Sequence, residues 1–133
     1  MRWTVRLPLD LPSLNAYMRW HFRKQKKWRE TLAQYVFALG SPLPTFETPV
    51  TVRITRMYGF RKRAYDTDNA YASVKPLLDI LKTPRGRSRY GLSVIHEDNP
   101  SWCRLVVNQQ KAEGKSSEIL VEVLDTTEPD YIK

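Results

Sequence analysis

From Tyr17 to Leu39 the chain runs without one glycine or proline, and turn-forming residues mark both ends, LPSLN before it and Gly40-Ser41-Pro42 after it. Such a run predicts a single long helix, because nothing in it breaks the backbone hydrogen-bond ladder. Leu32, Tyr35, Val36 and Leu39 recur at helical spacing in its second half, which gives that half an apolar face. The first half is a different object. Arg19, Arg23, Lys24, Lys26, Lys27 and Arg29 cover most of its circumference, with Trp20, Phe22 and Trp28 between them.

Around this helix the pattern switches to a period of two. Trp3, Val5 and Leu7 alternate with Arg2, Thr4 and Arg6, and Val50, Val52 and Ile54 alternate with Thr51, Arg53 and Thr55. Both segments read as strands with one buried face. A second helix is expected from about Asn69 to Lys82, with Val74, Leu77, Leu78 and Leu81 as its apolar stripe. Pro76 falls inside that stripe and should weaken or kink the helix. A short apolar stretch at 92–95, a strand at 101–108, a turn at Glu113-Gly114-Lys115 and a strand at 118–124 follow. The order β-α-β-α-β-β predicts an α+β fold, a single domain with a mixed sheet packed against two main helices. The domain is expected over 1–125, with 126–133 as a loose acidic tail.

The 133 residues are enough for one domain with a real core. One cysteine, Cys103, excludes an internal disulfide framework and a four-thiolate zinc site. It alternates with Leu105 and Val107 and reads as core. No stretch approaches the ~18 consecutive apolar residues of a membrane span, and the N-terminus lacks a signal-peptide block, so no membrane partner is expected. The expected location is the cytoplasm of a bacterial or phage-infected cell, in association with the nucleoid.

The net charge of +8 is unevenly spread. Residues 1–63 hold thirteen Lys/Arg against three Asp/Glu, whereas residues 64–133 hold nine against eleven. That asymmetry suggests one half that attracts a polyanion and another that carries acidic chemistry. The basic run Arg61-Lys62-Arg63 leads directly into Asp66 and Asp68. In an extended segment, residues i and i+2 point the same way, so these two carboxylates can converge on a hard cation such as Mg²⁺. If Asn69 opens a helix, Asp68, Lys75 and Asp79 share nearly one face of it. Glu97-Asp98 supplies a further acidic pair. DTDN also reads as a turn and helix cap, and Lys75–Asp79 as a surface ion pair. The glycine and third ligand of an EF-hand loop are missing. His96 and His21 read more simply as structural residues than as metal ligands.

The segment Asp66-Thr67-Asp68-Asn69, then Lys75-Pro76-Leu77-Leu78-Asp79, then His96-Glu97-Asp98-Asn99-Pro100-Ser101, resembles the RusA family of crossover-junction endodeoxyribonucleases. The opening LPLDLPSLNAYMRW and the two closing strands are similar to the same family, so the likeness covers nearly the whole chain. It implies Asp66, Asp68 and Asp98 as metal-binding carboxylates and Lys75 as an essential catalytic lysine, with Asp79, Asn69 and Glu97 supporting them. The implied cofactor is Mg²⁺, with Mn²⁺ as a substitute. The implied activity is resolution of four-way DNA junctions by paired phosphodiester hydrolysis in recombination and repair, carried out by a homodimer. Arg19, Arg23, Lys24, Lys26, Lys27, Arg61, Lys62, Arg63, Arg85 and Arg87 are the expected DNA contacts. Two other functions remain open from the residues alone: a nuclease for other branched or flap DNA, and a non-catalytic DNA-binding accessory protein.

Overall fold

The computed structural model describes residues 1–84 and 91–131. Four strands form one mixed sheet: β1 (Arg2–Leu7), β2 (Val50–Tyr58), β3 (Cys103–Lys111) and β4 (Glu118–Leu124), in the spatial order β1-β4-β2-β3. The expected α+β class with a mixed sheet is what forms. β4 lies antiparallel to both β1 and β2, and β2 runs parallel to β3. The register pairs Trp3 with Val123, Val5 with Val121 and Leu7 with Ile119, so the alternation read in β1 meets a matching alternation in β4. A parallel pair cannot be closed by a hairpin and needs a crossover. Here the crossover from β2 to β3 carries every acidic residue of the candidate site.

Each of the two expected helices is divided. The first begins earlier than Tyr17, as α1 (Leu14–Arg19), and is broken before α2 (Phe22–Gly40). Ser13 caps α1 by accepting from the Ala16 N–H at 3.1 Å. Trp20 then turns extended (φ −73°, ψ 142°), and the His21 Nδ1 accepts the Arg23 N–H at 3.2 Å, which restarts the helix. The Trp20 ring packs against Tyr17 and edge-on to Trp28, so aromatic packing replaces the lost ladder bonds. The second helix splits at Val74 into α3 (Thr67–Ser73) and α4 (Lys75–Leu81). Pro76 is the reason. It occupies the first turn of α4, where a missing N–H costs nothing.

Leu32 and Val36 of α2 are fully buried in one cluster with Val5 and Leu7 of β1, Val52 and Ile54 of β2, Val121 of β4, and Leu77 and Leu81 of α4. Each such side chain contributes about 1.5–3 kcal/mol through its removal from water. Leu92, Val94 and Ile95 return to the end of α4 through backbone bonds to Ile80 and Leu81, so 91–98 lies against the helix that bears Lys75 and Asp79. Ion pairs link the end of the domain and the described part of the acidic tail to the strands and the N-terminus. Asp130 pairs with Arg53 at 3.1 Å and with Arg2 at 3.3 Å, and Asp125 pairs with the Met1 amino group at 2.7 Å. Among the described residues, no helix is long and apolar enough to cross a membrane.

Candidate active site

The approach to Asp66 rests on a buried cation. Arg56, in the middle of β2, has only 2% of its side chain exposed. Its guanidinium grips Asp10 through two bonds at 2.7 and 3.1 Å, donates to the Arg63 carbonyl at 2.7 Å, and lies 3.7 Å over the Tyr65 ring. Burying a guanidinium is tolerable only with such full pairing. Gln109 of β3 completes the clamp, accepting from the Tyr65 N–H and donating to its carbonyl, both at 2.7 Å. The Tyr65 hydroxyl donates to the Leu11 carbonyl at 2.6 Å. The chain leading into Asp66 is thereby fixed to two strands and to the segment after β1.

At the other end of that loop, Gly59 sits against the backbone of the β3–β4 connection. A Cβ there would stand 2.4 Å from the Lys115 carbonyl oxygen, so only glycine fits. Arg61 follows in the left-handed region (φ 67°). Between these anchors Arg61, Lys62 and Arg63 all project as exposed cations.

Asp66 is the residue before α3 and makes no capping bond, and Asp68 lies in the first turn of that helix. Both are exposed. Neither carboxylate has a hydrogen bond or ion pair among the described residues. Asn69 is used otherwise: its Oδ1 accepts the Leu14 N–H at 2.8 Å and so ties α3 to α1.

The remaining predicted residues form a second group. Lys75 Nζ donates to Asp98 Oδ2 at 2.7 Å and lies 3.2 Å from Asp79. Lys82 approaches the same two carboxylates, each at 3.5 Å. Glu97 accepts the Asp98 N–H at 3.1 Å. Partial burial raises the cost of charge on Asp98, but the Lys75 and Glu97 contacts and nearby Lys82 outweigh it and hold the carboxyl down at about 2. Lys75 moves the opposite way. Burial disfavours its charge, yet Asp98 and Asp79 more than compensate and raise its pKa, so the ammonium stays charged at neutral pH.

The predicted residues are therefore sorted into an uncommitted pair, Asp66 and Asp68, and a lysine-neutralised group, Lys75, Asp79, Lys82 and Asp98. Among the described residues no group of three or more His, Cys, Asp or Glu side chains is placed to hold a metal ion, and Asp98 is paired with Lys75 and Lys82. The donor chemistry of the first pair still suits Mg²⁺. That ion is commonly held by one or two carboxylates, with water and substrate phosphate completing its shell. His96 stacks on Trp102 at 4.4 Å, in keeping with a structural role.

Three residues were missed at the level of sequence. Lys82 follows Asp79 by three positions, a helical spacing that could have revealed it. Arg56 and Asp10 carry no such signal beyond an arginine lying within an apolar strand pattern. Of the expected DNA contacts, Arg19, Arg23, Lys24, Lys26, Lys27, Arg61, Lys62 and Arg63 are all exposed, while Arg85 and Arg87 lie outside the described residues. The chain matches no family model and no curated protein.

Proposed function

We propose that the protein is a Mg²⁺-dependent, structure-selective DNA endonuclease that resolves four-way junctions, acting as a homodimer so that two sites face opposing strands. The observation that carries the reading is the state of Asp66 and Asp68: two exposed carboxylates, unpaired among the described residues, at the end of a rigidly anchored cationic loop. In a chain of net charge +8, unpaired carboxylates on the DNA-facing side repel phosphate unless a divalent cation stands between them.

Asp66 and Asp68 are the residues that would hold Mg²⁺. Bound there, the ion supplies charge neutralisation at the scissile phosphate and a more acidic water at neutral pH. The chain's own residues supply the rest. Arg61, Lys62 and Arg63 draw the phosphate backbone toward the carboxylates. Lys75, kept protonated by Asp98 and Asp79, offers a fixed cation where negative charge builds on a phosphate. Lys82 shares Asp98 with it and limits how far that carboxylate can swing. Asp98 holds Lys75 in place; the Lys75–Asp98 contact of 2.7 Å supports this positioning role.

A second reading, a DNA-binding accessory protein without catalysis, draws on the pairing of Asp98 with two lysines. One experiment separates the readings. The purified protein is incubated with a synthetic four-way junction in Mg²⁺ or in EDTA. Symmetric nicks in Mg²⁺ alone support the resolvase, cutting of flaps alone supports a different branched-DNA nuclease, and binding with no cutting in either condition supports the accessory protein.

A further inference from the structure

Beside the anchored loop lies a cavity of about 350 Å³ that the proposed chemistry does not use. Trp20, Trp28, Tyr65 and Lys62 line it, with Pro12 and Ala16. We propose that this cavity receives one unstacked nucleobase of the bound DNA, next to the scissile phosphate. The inference rests on the reading of the protein as DNA-binding and goes beyond it by assigning a base-holding site.

Three observations converge on that occupant. The cavity is of the size that small planar ligands use, at the lower end of the usual range of roughly 300–1,000 Å³. Its walls are aromatic, and stacking on such side chains holds any of the four bases because each has a π-face. Its rim is cationic. Lys62 is exposed, and the Lys24 Nζ lies 4.3 Å from the centre of the Trp20 ring, so the phosphates flanking an extruded base meet positive charge. Asp10 also lines the cavity, but its carboxylate is already gripped by Arg56 at both oxygens.

The position also matters. Tyr65 forms part of the cavity wall and Asp66 is the next residue, so a base held here lies one residue from the carboxylates. Extruding a base costs a few kcal/mol of unstacking and unpairing, least where pairing is already disturbed.

The test uses Asp66→Asn protein in EDTA, so that binding is read without cleavage. Four-way junctions carrying a single abasic site are walked through the positions around the branch point, with and without Trp20→Ala. At one position the abasic site should weaken binding roughly tenfold, about the worth of one base–aromatic stack. Trp20→Ala should cost the same on the intact junction and nothing more on that abasic one. Losses that simply add at every position, or an abasic walk with no effect anywhere, would overturn the proposal. If Trp20→Ala loses its far-ultraviolet circular dichroism, Trp20→Phe and tryptophan quenching decide. Trp20→Phe should retain binding, and quenching by the intact junction should exceed quenching by the abasic one; equal quenching overturns it. Catalysis is judged apart, with the unsubstituted protein in Mg²⁺. A coupled abasic loss without cutting would leave the cavity assigned and the nuclease reading lost, while cutting without coupling would do the reverse.

Discussion

The two acidic regions of the crossover differ in what surrounds them. Asp66 and Asp68 are exposed, unpaired among the described residues, and carried by a loop fixed through Arg56. Asp79 and Asp98 are partly buried and neutralised by Lys75 and Lys82. Carboxylates of the same chemical type are thus prepared for different work. An unpaired carboxylate keeps its lone pairs for another partner, a cation on the function proposed above, whereas a lysine-bound one spends them on holding that lysine charged and in place. Proximity in sequence to basic residues does not decide which is which; Arg61 to Arg63 are the nearer cations in sequence to Asp66, yet they leave it unpaired.

The largest effect expected from breaking this contrast is loss of the unpaired pair. Asp66→Asn or Asp68→Asn should lower junction cleavage by more than about 100-fold, beyond what losing a supporting hydrogen bond costs a metal site. Junction affinity in EDTA should be unchanged or tighter, since a repulsive charge is gone. Full activity of either variant in Mg²⁺ would remove these residues from the site.

Next comes the support of the loop. Asp10→Asn leaves Arg56 buried with its charge uncompensated and should cost about 3–5 kcal/mol of stability, read from urea unfolding. A midpoint equal to that of the unsubstituted protein would show that the loop is not anchored in this way.

Asp98→Asn strikes the neutralised group. It should slow cleavage by roughly 10–100-fold, as loss of an orienting partner does, while junction binding changes little. It also has a pH signature. Because the folded carboxyl is held at about 2, below its ordinary value of 3.8, its contribution to stability is present above pH 3.8 and is lost as the pH falls toward 2. Thermal unfolding between pH 5 and 2 should therefore fall less steeply in Asp98→Asn. Parallel profiles would mean that the lysines do not stabilise the charged form.

The smallest change belongs to Asp79, about a third exposed and one of two partners of Lys75. Asp79→Asn should cost under about 1 kcal/mol, as partly exposed ion pairs do, and leave cleavage within a few-fold. A loss matching that of Asp98→Asn would merge the two carboxylates into one functional unit.

The strands were legible because each has one face turned to the core, and period-two alternation records that directly. Val5 and Leu7 against Arg6 is such a record. β2 was legible only in part, since Thr51, Thr55 and Arg56 are also buried in this central strand. The helix breaks were harder. Trp20 and His21 are ordinary helical residues, and the break there depends on packing against Trp28 and on a histidine cap. Pro76 gave its warning, but a proline in the first turn of a new helix and a proline kinking an old one look alike until the chain direction is known. Within the candidate site, the spacing from Lys75 to Asp79 was readable as one helical turn. The Lys75–Asp98 contact was not readable from spacing, because it depends on the 91–98 segment folding back along α4. Asp10 and Arg56 are far apart in sequence and meet only through the sheet.

Tyr65 and Asp66 are adjacent, and Arg56, Gln109 and Leu11 hold the first of them from three directions. Consecutive Cα atoms stand about 3.8 Å apart, so a grip on one residue leaves the next little freedom of position. The loop can then act as a ruler. On the proposed function, a strand seated against Tyr65 would present the same phosphate to Asp66 each time, and the interval between branch point and incision would be a property of the backbone, set by covalent geometry instead of by reading bases.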